Sequence, residues 1–188
     1  MNAPPPERPA RMYITGFMGS GKSTIGPLLA GSLAYRFVDL DLAVAAREGK
    51  DIPAIFRERG ESEFRAMERD ELLRLSTESG IVVATGGGTL GDPGSLAIVR
   101  GSGALVYLEV SPETLITRLR GMRGRPMIAA DDGAPLDDQR LRGRIDALLL
   151  VREPVYRLAD ITVDAGSRTP GEIVASILES LRSLRKPS

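Results

Sequence analysis

A glycine-rich segment near the N-terminus has the residue types and spacing of a phosphate-binding loop. Residues 16–24 read G-F-M-G-S-G-K-S-T and match the pattern G-x-x-x-x-G-K-[ST], between a predicted strand at 12–15 and a predicted helix at 25–33. In this pattern backbone N–H groups and a lysine face a polyphosphate, and a serine hydroxyl faces Mg²⁺. A flexible turn is the alternative, which this strand-to-helix setting disfavours. We therefore predict a nucleoside triphosphate site at Gly19, Ser20, Gly21, Lys22, Ser23 and Thr24.

Two aspartates follow the second predicted strand. Asp39 and Asp41 are two residues apart at its expected C-terminal end, so both are predicted to project from one face. Ligands bind at this edge of open α/β sheets. We expect one carboxylate to reach Mg²⁺ through water and the other to accept a hydrogen bond from a substrate hydroxyl. The alternative is a solvated loop acid, or a cap by Asp41 on a helix that begins at Leu42.

The third predicted strand ends in three glycines rather than in an acid. Gly86, Gly87 and Gly88 permit close backbone approach to a ligand, although a bare triplet is equally compatible with a flexible turn. Because this strand does not end in an acidic residue, Asp39 has to provide the metal-binding carboxylate if the chain is a kinase. Arg65 and Arg152 lie on predicted helices, where a lone arginine is usually solvated, and their residue types alone do not place them in a site.

The composition excludes several kinds of chemistry. The chain has no cysteine and no histidine, so disulfides, thiolate nucleophiles, imidazole bases and thiolate or imidazole metal ligands are excluded. Positive and negative side chains balance at 25 each, so no overall charge favours nucleic acid or an anionic membrane. Phosphoryl transfer suits this inventory because it depends mainly on positioning and charge stabilisation. No apolar run is long enough to span a bilayer, and we expect a cytoplasmic monomer that binds neither nucleic acid nor membrane.

Apolar runs alternate with helical patterns along the chain. Strands are predicted at 12–15, 37–41, 81–84, 104–110 and 161–163. Their continuous apolar character is typical of parallel strands buried on both faces. The pattern predicts a single-domain α/β protein with a five-stranded parallel sheet in three α/β/α layers. Helices are expected after Ser111-Pro112, over 139–158 with an interruption at Pro154, and from the capping box at 169–172 to about Leu184.

Three segments lack a strand or a simple crossover helix. Residues 1–10 form a proline-rich stretch that we expect to be a disordered tail before a domain at 11–188. Residues 43–79 form a helical excursion that is longer than a crossover requires. Residues 121–137 are rich in glycine, proline and arginine, and we interpret them as an active-site lid, with a plain surface loop as the alternative. Arg120, Arg123 and Arg125 are the cations that such a lid would bring to the phosphates.

Together, the motifs resemble the shikimate kinase family, which has the nucleoside monophosphate kinase-like P-loop fold. The resemblance runs from Met12 to Leu184 and covers nearly everything except the tail. It rests on the order and spacing of G-F-M-G-S-G-K-S-T at 16–24, F-V-D-L-D at 37–41, G-E-S-E-F-R-A-M-E at 60–68, T-G-G-G at 85–88, R-P at 125–126 and R-E-P-V-Y at 152–156.

The resemblance implies the roles of the nucleotide-binding residues. Residues 19–24 would hold the ATP phosphates, and Ser23 and a water-mediated Asp39 would bind Mg²⁺. Arg118 matches an arginine that stacks on adenine, and Arg168 matches a position near the nucleotide.

The resemblance also implies the acceptor site. Arg65 and Arg152 would clamp the carboxylate of shikimate, with Gly86, Gly87 and Gly88 beside it. Asp41 would accept hydrogen bonds from the ring hydroxyls. Residues 43–79 would then contain the substrate-binding insertion.

The same resemblance implies three catalytic groups and a reaction. Asp41 would orient the attacking hydroxyl, while Lys22 and Arg125 would stabilise charge on the moving phosphoryl group. The reaction would be phosphorylation of the 3-hydroxyl of shikimate by ATP with Mg²⁺. Two alternatives stay open: a related P-loop kinase for another hydroxy acid such as gluconate, and a non-catalytic ATP-binding module.

Overall fold

The computed structural model describes residues 9–120 and 136–183, and a five-stranded parallel sheet forms its centre. The strands, in the spatial order β2-β3-β1-β4-β5, are β1 (Arg11–Thr15), β2 (Arg36–Asp39), β3 (Ile81–Ala84), β4 (Ala104–Glu109) and β5 (Ile161–Asp164). The helices of the described part are α1 (Lys22–Leu33), α2 (Leu40–Glu48), α3 (Ile52–Leu75), α4 (Pro93–Ser102), α5 (Pro112–Leu119), α6 (Asp138–Tyr156) and α7 (Pro170–Ser183), with a 3₁₀ turn at Thr89–Gly91. The predicted α/β class and five-stranded parallel sheet are confirmed.

Each face of the sheet is covered by helices, as the unbroken apolar runs of the strands require. Along β1, Met12 and Ile14 pack into one core with α1, α5, α6 and α7, whereas Tyr13 packs into a second core with α3 and α4. All three side chains are fully buried. Two buried faces explain why apolar residues are continuous rather than alternating in these strands.

The strand register brings three loops to one edge of the sheet. Ile14 of β1 lies opposite Ala84 of β3, and Ala84 lies opposite Asp39 of β2. The N–H of Thr85 extends the ladder by donating to the carbonyl of Ile14 at 3.0 Å. The phosphate loop, the turn after β2 and the glycine triplet therefore all start from the same edge of the sheet.

The two aspartates after β2 do not share the geometry that strand periodicity predicts. β2 ends at Asp39, and Asp41 lies in the first turn of α2. The carboxylate of Asp39 accepts from the N–H of Leu42 at 3.2 Å, so Asp39 caps this helix and Asp41 does not. The prediction that both project from one face of a strand, and the alternative of a helix beginning at Leu42, are both wrong. The helix begins earlier because its cap lies at the last strand residue.

Pro154 does not interrupt α6, contrary to the prediction. The helix continues through it to Tyr156, where the structure places the helix end. The N–H that proline lacks would have bonded the carbonyl of Leu150, a residue 80% exposed, where water can take the place of that hydrogen bond. Helix α1 likewise runs through Pro27.

The excursion after β2 consists of α2 and α3, and α3 is kinked at Gly60. Gly60 has φ 79° and ψ 174°, a backbone conformation that side-chain-bearing residues rarely adopt. The kink separates an arm, residues 52–59, from the longer part at 61–75. Val44, Ile55 and Phe64 form a small core that joins α2, the arm and the longer part. The predicted role of this excursion in substrate binding stays a prediction.

The proposed tail and lid fall largely outside the described residues. Residues 1–8 and 121–135 are not described, and they include Arg123 and Arg125. Arg120, at the end of α5, donates through Nε to Asp138 at 2.9 Å.

Of the helices between residues 9 and 183 that the structure describes, none is both long and apolar enough to cross a membrane.

Candidate active site

A cleft of about 1050 Å³ opens at the C-terminal edge of the sheet. The residues that the sequence predicted for the nucleotide and the acceptor line it: Gly19, Ser20, Gly21, Lys22, Ser23, Thr24, Asp39, Asp41, Arg65, Gly86, Gly87, Gly88, Arg118, Arg152 and Arg168. Arg120, predicted as a lid cation, does not line the cleft and pairs with Asp138. Arg125 lies outside the described residues. The structure therefore brings the nucleotide-binding and acceptor-binding predictions together in one cavity.

The phosphate loop forms one wall of this cleft and ends at the N-terminus of α1. Gly21 precedes the helix with φ 99°, and its carbonyl accepts from the N–H groups of Thr24 and Ile25, both at 2.9 Å. A positive φ at this position suits glycine, and it turns the loop toward the positive end of the helix. Lys22 Nζ donates to the loop carbonyls of Gly16 at 2.7 Å and Phe17 at 3.0 Å.

Arg118 joins the phosphate loop to the far end of the cleft. Its Nη1 donates to the carbonyl of Gly19 at 3.1 Å and its Nη2 donates to the carbonyl of Ala165 at 2.9 Å. Two hydrogen bonds from one planar guanidinium fix its orientation, so it presents a flat surface beside the loop. Arg168 and Pro170 also line the cleft.

A buried carboxylate, that of Glu68, contacts a residue of the cleft without lining the cleft itself. The side chain of Glu68 is fully buried, accepts from Arg65 Nη1 at 2.6 Å, and accepts a short hydrogen bond from the hydroxyl of Thr89. Burial raises the pKa of Glu68 above its usual range and outweighs the opposing effect of Arg65, and the nearby charge of Asp41 raises it further. Burial therefore disfavours the charged form of Glu68, and Arg65 and Thr89 are the groups that compensate its charge.

Each glycine of the triplet contacts a different functional group. A Cβ added at Gly86 would lie 2.8 Å from Asp41 Oδ1 and 2.8 Å from Glu68 Oε1. At Gly87 it would lie 3.4 Å from Arg152 Nη1, and at Gly88 2.5 Å from Arg65 Nη2. The triplet is therefore required for close approach of side chains, which distinguishes it from a flexible turn.

The two arginines that sequence reasoning could not place flank this triplet. Arg65 lies over the ring of Phe64 at 5.4 Å, and Arg152 lies over the ring of Phe17 at 5.8 Å. Both guanidinium groups face the same cleft as the phosphate loop. Two cations held against aromatic faces at one end of a cleft form a suitable site for a planar carboxylate.

Sequence reasoning assigned no role to Glu68, Thr89 or Tyr156, and the structure shows that all three support the site. Tyr156 donates a short hydrogen bond to the carbonyl of Gly87, and burial raises its pKa to about 12. The only available signal was the i, i+3 spacing of Arg65 and Glu68 on a predicted helix, which favours an ion pair. Thr89 and Tyr156 carry no such signal because their contacts are tertiary.

A phosphate loop that opens into a cleft at the carboxyl edge of a parallel sheet is typical of P-loop proteins. This fold and site place the chain among the P-loop kinases. The family model described as shikimate kinase matches residues 18–182. The chain belongs to the shikimate kinase family.

Individual relatives agree with this assignment. The shikimate kinase of Salinibacter ruber is 42% identical over 181 residues, which cover 96% of this chain and 88% of the relative. A shikimate kinase from Acinetobacter baumannii, solved in complex with shikimate, superposes with a TM-score of 0.83 at 30% identity and covers 95% of this chain and 96% of its own.

The gluconate alternative receives only distant support. A gluconokinase from Sinorhizobium meliloti has a TM-score of 0.61 at 21% identity, covering 95% of both chains. Identity at that level shows a shared fold and carries no information about the acceptor.

The family assignment also decides between an enzyme and a binding module. The chain is a kinase of the shikimate kinase family, whose members use ATP, and it is not a non-catalytic module.

Proposed function

We propose that this enzyme transfers the γ-phosphoryl group of ATP to the 3-hydroxyl of shikimate, giving shikimate 3-phosphate and ADP on the route to chorismate and the aromatic amino acids. The observation that carries the proposal is the position of Asp41 in one cleft with the phosphate loop and with the guanidinium pair Arg65 and Arg152. In this cleft the phosphates of the donor would bind to the phosphate loop, and the carboxylate of the acceptor would bind to the two arginines. The carboxylate of Asp41 would be available to the acceptor hydroxyl.

The donor half would hold ATP through the loop at 19–24. This loop lines the cleft at the N-terminus of α1, where backbone N–H groups and the positive end of the helix favour a phosphate. The guanidinium of Arg118 is flat and is held by two hydrogen bonds, so it is suited to stack on adenine, with Arg168 beside the nucleotide.

Mg²⁺ would be held by Ser23 and, through water, by Asp39. These two oxygen donors fit a hard cation that takes one or two carboxylates and completes its shell with phosphates and waters. When bound, the ion supplies charge neutralisation on the β- and γ-phosphates.

The acceptor half would hold shikimate by its carboxylate and its ring hydroxyls. Arg65 and Arg152 are the carboxylate ligands, and the glycine triplet lets the ring approach the backbone. Asp41 accepts from the ring hydroxyls and orients the attacking oxygen toward the γ-phosphoryl group. Since the fork of each arginine matches a planar carboxylate, this end also sets the direction in which the acceptor binds.

Catalysis would draw on cations from two sides. Lys22 exchanges its loop carbonyl partners for the transferred phosphoryl group, and Arg125 is proposed to reach the same group with a lid at 121–137. We propose that a cytoplasmic monomer is the active form.

The test of this function is a coupled assay of ADP release with shikimate, quinate and gluconate as acceptors. We expect turnover with shikimate and Mg²⁺, and background rates with gluconate, because gluconate lacks the ring whose hydroxyls Asp41 would orient. Quinate, a ring acid with an altered ring, measures how strictly the site selects. Turnover with gluconate and not with shikimate would refute the proposal.

Replacing Arg65 by alanine is expected to raise the KM for shikimate by about 10- to 100-fold, the value of a lost charge-assisted hydrogen bond. The KM for ATP should stay unchanged because Arg65 lies at the acceptor end of the cleft. Arg69→Ala is the matched control, since Arg69 is one turn further along α3 and pairs with Asp92 at 3.2 Å. Circular dichroism checks that the variant folds, because Glu68 loses an ion-pair partner. An unchanged shikimate KM in a folded variant would contradict the carboxylate clamp.

A further inference from the structure

Arg65 is held at both ends of its guanidinium before any substrate is present. Nη1 donates to Glu68 at 2.6 Å and Nη2 donates to Glu61 at 2.9 Å. On α3, Glu61 lies four residues before Arg65 and Glu68 three residues after it, so both carboxylates lie on the same helix face as the arginine. Two separate attachment points fix the plane of the guanidinium.

The two carboxylates differ in what else they do. Glu68 is fully buried and needs Arg65 and Thr89 to compensate its charge, so its removal affects the stability of the core. The side chain of Glu61 is 55% exposed and lies at the start of the longer part of α3, directly after the kink at Gly60. Its removal therefore leaves the core intact.

Glu61 reaches Arg65 from outside the substrate cleft. A second cleft of about 600 Å³, called the rear cleft below, adjoins the main cleft and shares Arg65, Arg152, Gly87 and Gly88 with it. Glu61 lines the second cleft and does not line the main one. Since the two clefts share both arginines, a contact made from the rear cleft orients Arg65 without occupying the space of the acceptor.

We propose that Glu61 is a positioning residue that orients Arg65 for the acceptor carboxylate from the rear cleft. The inference rests on the proposed carboxylate clamp and identifies which side chain preorganises it. Without Glu61, one end of Arg65 is released and a long side chain has to be ordered each time the acceptor binds. Ordering such a side chain weakens binding by about two- to tenfold.

The test compares Glu61→Ala with Glu63→Ala. Glu63 is an exposed carboxylate two residues along α3 that lines the same rear cleft, so its removal makes the same change in net charge. We expect Glu61→Ala to raise the KM for shikimate by about two- to tenfold relative to Glu63→Ala, with the KM for ATP and the Tm unchanged. Glu61→Gln retains an acceptor oxygen and should restore part of the loss.

Three results would overturn the inference. The first is an unchanged KM for shikimate in Glu61→Ala. The second is a lower KM for shikimate, which would show that Glu61 competes with the substrate carboxylate. The third is a fall in Tm together with a rise in the KM for both shikimate and ATP, which would show a purely structural role. In an Arg65→Ala background, Glu61→Ala should add nothing. If Arg65→Ala itself leaves the KM unchanged, the clamp fails; if only Glu61→Ala leaves it unchanged, the positioning role alone fails.

Discussion

Replacing Lys22 by alanine is expected to lower kcat by about 10²- to 10³-fold, the usual effect of removing one preorganised group that stabilises transition-state charge. Lys22 already points into the phosphate loop, where its ammonium lies 2.7 Å from the carbonyl of Gly16 and 3.0 Å from that of Phe17. A phosphoryl group bound at the loop therefore lies within reach of a small side-chain movement. Steady-state kinetics with saturating ATP and shikimate measure the change.

The control for this variant is Lys50→Ala, which removes the same charge from the surface. Lys50 pairs with Glu58 on the outside of the helical excursion and does not line the main cleft. We expect wild-type kcat for the control and a Tm near that of the wild type for both variants. A loss of less than tenfold for Lys22→Ala, or an equal loss for Lys50→Ala, would show that Lys22 does not stabilise the transferred phosphoryl group.

Replacing Asp41 by asparagine is expected to lower kcat by about 10²- to 10⁴-fold, the range for loss of a group that takes part in proton transfer. Asparagine keeps the shape that fits against Gly86 but loses the charge that attracts the proton of the attacking hydroxyl. The KM for ATP should be unaffected, since Asp41 is assigned to the acceptor half. Initial rates over a matrix of ATP and shikimate concentrations separate these parameters.

Asp70→Asn is the matched control for Asp41→Asn. Asp70 is an exposed carboxylate on α3 that lines neither cleft, so its conversion to an amide makes the same change in charge and volume. Wild-type activity is expected. Activity of Asp41→Asn within tenfold of the wild type would leave Asp41 as a binding group and remove it from catalysis.

Local patterns were sufficient to predict most of the fold. Buried parallel strands require apolar residues on both faces, so strands such as β1 and β3 were visible as short continuous apolar runs. Caps at Ser111 and at Thr169 mark helix starts because a side chain there bonds the free backbone N–H groups, and the structure contains both. The phosphate loop was predictable because its function depends on backbone shape and on a fixed spacing.

The exact end of β2 was not predictable because it depends on one hydrogen bond. A strand that continued to Asp41 and a helix capped at Asp39 fit the same five letters F-V-D-L-D. The structure selects the helix because the carboxylate of Asp39 accepts from the N–H of Leu42. Pro154 presents a similar difficulty, since the effect of a missing N–H depends on whether water reaches the carbonyl it leaves free.

The positions of Arg65 and Arg152 could be inferred from the family resemblance but not from their surroundings in the sequence. One lies on α3 and the other on α6, and only the sheet edge and the glycine triplet bring them to the same cleft. Contacts such as that between Thr89 and Glu68 are likewise tertiary, and no local periodicity encodes them.

The glycine triplet limits how this enzyme can be engineered for other acceptors. A larger residue at position 88 would place its Cβ 2.5 Å from Arg65 Nη2. Two carboxylates hold the Arg65 side chain in place, so it could not move aside without losing those contacts. Substitutions in the glycine triplet would therefore displace Arg65, the proposed carboxylate ligand, before they changed the shape of the cavity. A mutant library for altered selectivity is better directed at Ile52 and Pro53 in the apolar wall of the cleft than at Phe56, which packs on Phe64 beneath Arg65.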